Sequence, residues 1–228
     1  MSRPRRDSRT LPAKDRMENA FWDLLADHEF SKITVTDVVR VADVNRNSFY
    51  YHFSGLPELA DASILREVEH MPRPASPQAH MHLRPETEWR FYCTTMLEEP
   101  EQRQRLDRLA LLTGPNSSNE LMDSLRDFLR MTMMSILEID TDSMDVKTSL
   151  LIDFSVGGIL AVLQDWPRMR ETITVDDLMS DDLALLTMSM YMAMSKESLR
   201  SYLGRVISAD RAPMPNYMTA TLGAPTFA

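Results

Sequence analysis

The chain has 228 residues, 43% hydrophobic and 26% charged, an ordinary globular balance that suits one large or two small domains. No run of about eighteen apolar residues marks a membrane span, no apolar core follows the basic start as in a secretory signal, and the single Cys93 fits a reducing cytoplasm. The net charge of −9 is uneven: residues 1–55 carry nine basic and eight acidic side chains, which leaves an excess of ten acidic groups on the rest.

Six glycines in all, and few β-branched runs, point to helices throughout. Residues 1–11 read as a flexible arm, basic through Arg3, Arg5, Arg6 and Arg9. A first helix is expected over 13–28, with Met17, Ala20, Phe21, Leu24, Leu25 and His28 at helical spacing. His28, at the edge of that stripe, suits packing or capping better than ligation.

Thr34 can cap a second helix whose third residue is Asp37, the pattern of a capping box. Val35, Val38, Val39 and Ala42 then fall on one face. Asp43-Val44-Asn45 breaks that helix, and Asn45 can cap a third. The third helix opens with Arg46, Asn47 and Ser48, polar groups at the end where a recognition helix meets base edges, and Tyr50, Tyr51 and His52 follow. Two short helices, a tight turn and donors crowded on the second one make a helix-turn-helix. An acidic body with a basic leading arm is compatible with binding DNA by one end only.

The run from Thr34 to Phe53 resembles the DNA-binding domain of the tetracycline-repressor (TetR) family. The matching positions are Thr34, Val35, Val38, Ala42, Val44, the polar run Asn45-Arg46-Asn47-Ser48, and Phe49-Tyr50-Tyr51-His52-Phe53. Three positions depart from the pattern. Val39 replaces a small residue, Asp43 replaces the turn glycine, and Leu56 stands near the place of a phosphate-binding lysine. The resemblance implies an all-α fold, with an N-terminal three-helix DNA-binding domain and a helical C-terminal domain for ligand binding and dimerisation. It also implies a homodimeric transcriptional regulator of double-stranded DNA. In that role Arg46 is the expected base reader, able to engage guanine bidentately, flanked by Asn45, Asn47 and Ser48. Thr34, Tyr50 and His52 are expected on phosphates, Tyr51 on either bases or backbone, and Thr36 at a position that reaches DNA in some relatives. Arg3, Arg5 and Arg6 either form a solvated tail or lie in the neighbouring minor groove.

Beyond residue 55 the periodicity predicts a connecting helix from Pro57 to His70, within a segment 56–71. Pro72, Pro74, Pro77 and Pro85 then punctuate a loop over 72–85 that reads as a domain boundary. His70, His80 and His82 lie in or beside it, but no carboxylate or cysteine stands at ligand spacing, so no metal site is expected. The body, 86–204, begins with the stripe Trp89, Tyr92, Cys93, Met96 and Leu97. A helix from Pro100 to Leu112 follows, ended by the cluster Gly114-Pro115-Asn116-Ser117-Ser118. Further helices are expected over 121–136, over 142–166 with a stop at Pro167, from a Thr174/Asp177 cap to Met194, and over 195–203 with Gly204 as its C-cap. Residues 205–228 lack periodicity and are expected to be disordered. No internal repeat is visible.

Gly157-Gly158 interrupts an otherwise strong helix, and each glycine there costs about 1 kcal/mol against alanine. Close approach of another helix is the simplest offset. The segment also resembles the TetR helix that pairs with its symmetry mate, which implies a dimer interface of Gly157, Gly158, Ala161, Leu183, Leu186 and Met190. Packing of the glycines within one subunit is the alternative. Eleven of the eighteen methionines lie between Met122 and Met194, and flexible thioethers can reshape a pocket around apolar guests. The resemblance implies a small apolar effector, with Trp89, Tyr92, Met96, Phe128, Met133 and Phe154 as candidate lining residues. The rival reading is that they only fill the core. No glycine-rich phosphate loop, Gly-x-Ser-x-Gly elbow or His-Glu-x-x-His is present, so neither an enzyme nor a cofactor is expected. A regulator that answers to a protein partner instead of a small molecule remains the alternative.

Overall fold

A computed structural model describes residues 11–72, 85–136, 144 and 146–180. Among these, every regular element is helical. The order is α1 (Ala13–Asp27), a 3-10 turn (Phe30–Lys32), α2 (Val35–Val41), α3 (Arg46–His52), α4 (Leu56–Glu69), α5 (Pro85–Glu98), α6 (Pro100–Leu111), α7 (Asn119–Ile136), α8 (Val146–Met169) and α9 (Val175–Leu178). The fold is all-α, with a three-helix helix-turn-helix unit at its N-terminal end.

The first three helices close around Met17, Phe21 and Leu25 of α1, Val38 of α2 and Phe49 of α3, all with no exposed surface. Phe30 of the 3-10 turn stands edge-on to Phe21 at 6.3 Å, which ties the chain between α1 and α2 onto the same core. Pro57 sits in the first turn of α4, where its missing N–H costs nothing. Helix α4 packs on α1, on α6 and on α7. It is the element shared by the helix-turn-helix and the body.

Polar contacts reinforce that joint. Glu67 of α4 is buried and accepts from Arg105 at 2.9 Å and from Arg108 at 2.6 Å, both on α6. Arg108 also donates to Asn19 of α1 at 2.6 Å. Arg66, on the neighbouring face of α4, donates to Asp15 and Glu18 of α1. Beyond α6, the Asn116 amide donates to the carbonyls of Leu25 and Ala26 at 3.1 and 3.0 Å, satisfying two C-terminal acceptors of α1. Its own carbonyl accepts from Phe30 N–H at 2.8 Å.

Two expectations change in the body. Helix α8 does not stop before Pro167 but runs on to Met169. A proline in a helix interior leaves the carbonyl four residues earlier without its donor. Here that carbonyl is Leu163 O, and the Thr113 hydroxyl approaches it at 3.4 Å. Trp166 is also pinned, its ring N–H donating to Asp107 at 2.8 Å. The Thr174 cap forms with Asp177, but α9 spans only four described residues, and Ser180 turns back to donate to Asp177 O at 2.7 Å. The helices expected beyond it, and the C-terminal tail, lie outside the described residues.

Helix α8 also bears on the expectation that no membrane span is present. The stretch Thr148–Met169 of α8 is long and apolar enough, by length and composition, to cross a membrane. Its Ile152, Val156, Leu163 and Trp166 are nevertheless buried in the main core, and its Asp153 pairs with Arg130 of α7. One face of α8 thus packs in the bundle, while Leu150, Phe154 and Val162 stay exposed on the rest of it.

Candidate nucleic-acid interface

Helix α2 is fixed by a complete capping box. Asp37 N–H donates to Thr34 Oγ1 at 3.2 Å, while Thr34 N–H and hydroxyl donate to Asp37 Oδ2 at 3.2 and 2.6 Å. The Thr34 hydroxyl and then the Arg40 guanidinium hold the Asp37 carboxyl below its usual range. Both donors of Thr34 are thus engaged within the chain, so a phosphate contact from this residue competes with the box.

The turn between α2 and α3 carries the one non-glycine residue at positive φ among those described, Asp43 at 52°. Aspartate tolerates this left-handed conformation better than most side chains. Arg16 of α1 braces the turn: its Nη1 donates to Ala42 O at 2.9 Å and to Asp43 O at 2.8 Å. In the sequence Arg16 reads only as part of the basic N-terminal region. Nothing local announces a partner 26 residues away.

Asn45 caps α3 by accepting Ser48 N–H at 2.7 Å. Phe49 and Phe53 are buried, 5.8 Å apart between ring centres, and they fix the rotation of α3. That rotation sends Arg46, Asn47, Tyr50 and Tyr51 to the outside. Arg46 and Tyr50 lie one turn apart, as do Asn47 and Tyr51, so the four make one continuous face. Tyr51 is 85% exposed, and its ring meets His52 edge-on at 5.0 Å. Arg46 Nη2 donates to the Tyr50 hydroxyl at 3.3 Å, with the guanidinium 5.7 Å from the ring centre. The charge and the phenol therefore act as one unit. Thr36 is exposed on α2, and Ser48 is half-buried.

Leu56 packs partly buried against the core. Nearby, Glu58 accepts Ser54 N–H at 2.7 Å, and its carboxyl is held low, first by the Ser54 side chain and then by its backbone. A carboxylate, not an ammonium, therefore stands at the entrance to α4. Arg3, Arg5 and Arg6 lie outside the described residues.

The six residues expected to line a pocket do not converge. Trp89 stacks on Tyr92 at 5.6 Å and, with Cys93, Val175 and Leu178, fills a small separate cluster. Burial pushes the Cys93 thiol up to about 12, so it stays protonated. Met96 and Met133 are buried in the main core, with Phe128 packed against it. Phe154 is 68% exposed, on the outer face of α8. Among the described residues, an open groove of about 760 Å³ lies between α7 and α8. Met122, Val156 and Leu160 line it together with Arg126, Asp127, Arg130, Asp153 and Gln164, and Gly157 and Ala161 form part of its wall. Leu183, Leu186 and Met190 lie outside the described residues, as do His80 and His82. His70 caps α4, its Nδ1 2.8 Å from Arg66 O.

No protein-family model matches the chain. A stretch of 76 residues is 29% identical to YxbF of Bacillus subtilis (strain 168), described as an uncharacterized HTH-type transcriptional regulator. It takes in 31% of this chain and 20% of the regulator, so the match spans about a fifth of that protein's length. The chain resembles the TetR family. Among solved structures, the fatty acid degradation regulator FadR from Bacillus halodurans is 16% identical, with a TM-score of 0.48 over 81% of this chain and 95% of that one. The TetR family repressor AlkX from Dietzia sp. strain DQ12-45-1b, implicated in biodegradation of n-alkanes, is 14% identical. Its TM-score is 0.33 over 82% of this chain and 95% of that one.

Proposed function

We propose that this chain is a DNA-binding transcriptional regulator of the TetR type, acting as a homodimer on a palindromic operator. The observation that carries the reading is the face of α3. Buried Phe49 and Phe53 anchor the helix, while Arg46, Asn47, Tyr50 and Tyr51 stand free of the core at the end of a capped helix-turn-helix. Such a face offers a guanidinium and an amide for base edges, and phenols for phosphates. One helix of this length covers too few base pairs for an operator, so two copies on successive half-sites are needed.

In this reading residues 1–11 are an arm in the minor groove, 12–55 the reading head and 56–71 the connecting helix. Residues 86–204, beyond the Pro-rich loop, form the effector-binding and dimerisation body. An effector releases DNA by binding the conformation whose half-site spacing does not fit. The groove between α7 and α8 supports a place for it, and its mixed lining favours an amphiphilic guest over the wholly apolar one expected from the methionine count. Helix α8 belongs to the bundle, and the protein works in the cytoplasm without catalysis. The test is selection of bound duplexes from a random pool. A palindromic consensus is the expected result, and enrichment of no sequence would overturn the reading.

A further inference from the structure

We infer that Arg16 is the positioning residue that holds the α2–α3 turn in its left-handed form, and that it does so in place of contacting DNA. The inference rests on the DNA-binding reading above for its functional consequence, though not for its structural one. A helix end leaves its last carbonyls without donors, and a left-handed residue on a side chain other than glycine adds steric cost. Both problems meet at Ala42-Asp43, where α2 ends and Asp43 stands at φ 52°. A single guanidinium nitrogen answers them, donating to Ala42 O and Asp43 O at 2.9 and 2.8 Å. These are charge-assisted bonds to backbone, stronger than neutral ones. The turn's backbone bonds to α2, Asp43 N–H to Arg40 O at 3.4 Å and Val44 N–H to Val39 O at 3.1 Å, use neither the Ala42 nor the Asp43 carbonyl, which leaves both to Arg16.

The turn fixes where Asn45 sits, and Asn45 caps α3 through Ser48 N–H. A change of turn conformation therefore rotates the start of α3, and with it Arg46 and Asn47. Arg16 is half-buried, and its Nε lies buried without a hydrogen-bond partner. Its Nη1 already serves two acceptors. Among the basic residues of the N-terminal region, Arg16 thus belongs to the frame of the head.

The experiment is a double-mutant cycle in the full chain: wild type, Arg16→Ala, Asp43→Gly and the double variant. Each is read by its unfolding midpoint and by retention of the selected operator duplex across a salt series. Glycine adopts the left-handed turn without steric cost, so it removes the steric part of the need for a brace and leaves the two carbonyls. Arg16→Ala is expected to weaken operator binding on the order of tenfold and to lower the unfolding midpoint by a few degrees. The salt slope should stay unchanged, because no phosphate contact is lost. Asp43→Gly should restore the steric share of both losses, so that the losses are less than additive, and the single Asp43→Gly variant subtracts whatever its change of charge contributes. Should Arg16→Ala fail to fold, Arg16→Lys shows a smaller loss that Asp43→Gly again rescues. A salt slope reduced by about one, or losses that simply add in the double variant, would overturn the inference. If wild type retains no duplex, the proposed function fails. The cycle of unfolding midpoints then decides the role of Arg16 by itself.

Discussion

Glu67 and Arg108 meet at 2.6 Å across the joint between α4 and α6, and the same carboxylate takes Arg105 on its other oxygen. The Glu67 side chain is 4% exposed, whereas the two arginines keep 19% and 20%. Removing the carboxylate strands two cations whose remaining water contact screens only part of the penalty. Breaking a fully buried pair costs roughly 3–5 kcal/mol, so about 2–3 kcal/mol is expected here for Glu67→Ala. Glu67→Gln, which keeps an acceptor, should lose less. Chemical denaturation reads both, and a loss under about 1 kcal/mol for alanine would show that the joint is held by apolar packing alone.

The Arg46–Tyr50 unit gives the second prediction. Arg46→Ala should lower affinity for the selected operator by about 1–3 kcal/mol and relax its sequence preference. Tyr50→Phe removes the acceptor that orients Arg46, so its effect should be partly base-selective as well as general. In the double variant the losses should be less than additive. Strict additivity, with discrimination untouched by Tyr50→Phe, would mean that the pair separates on DNA.

The capping box gives α2 an acid-side dependence. The Asp37 carboxyl is held below the ordinary aspartate range in the folded chain, chiefly by the Thr34 hydroxyl. A carboxyl with a depressed folded pKa contributes stability above its unfolded pKa. That contribution is lost as pH falls through the folded one. Stability should therefore drop on acidification below about pH 4, and Asp37→Asn should flatten that limb while leaving neutral pH the weaker box of an amide. An unchanged acid limb in the asparagine variant would assign the dependence elsewhere, for instance to the Thr174/Asp177 box, where the same sign holds.

What was legible in the sequence was local. Both capping boxes follow a three-residue spacing rule, and both are present. The stripe of α1 named Met17, Ala20, Phe21, Leu24 and Leu25, which are buried, although His28 at its edge is exposed. The break at Asp43-Val44-Asn45 followed from the end of an apolar period, whereas the left-handed backbone at Asp43 is what the resemblance implies, since Asp43 stands there in place of a turn glycine. What escaped depends on partners far along the chain. Pro167 reads as a helix stop, yet α8 runs through it, and the Leu163 carbonyl that it leaves lies 3.4 Å from the hydroxyl of Thr113, which donates more closely to Ala110 O at 2.8 Å. Phe154 reads as pocket lining because an apolar residue on a strong helix has no visible direction. Packing of α8 on α6 and α7 turned it outward. The brace from Arg16 and the clamp on Glu67 are side-chain contacts between helices, and periodicity carries no record of them.

Gly157 is the last case, and the described residues do not explain it. Among the described residues, nothing lies within 4 Å of where its Cβ would be. Leu150, Phe154, Gly157 and Ala161 share one face of α8, with Leu150 64% and Phe154 68% exposed. A helix glycine with open space beside it costs about 1 kcal/mol against alanine, and no packing among the described residues offsets that cost. A second copy of α8 seated on this face, at a separation only glycine permits, would supply the gain. Gly157→Leu should then weaken self-association at least tenfold, by roughly 1.4 kcal/mol or more, while the dilute subunit unfolds no earlier than wild type. Sedimentation across a concentration series reads the first effect, and thermal unfolding at low concentration the second. Undiminished association with leucine in place would show that the two copies meet elsewhere. Earlier unfolding without a change in association would show that the face is covered by the chain itself.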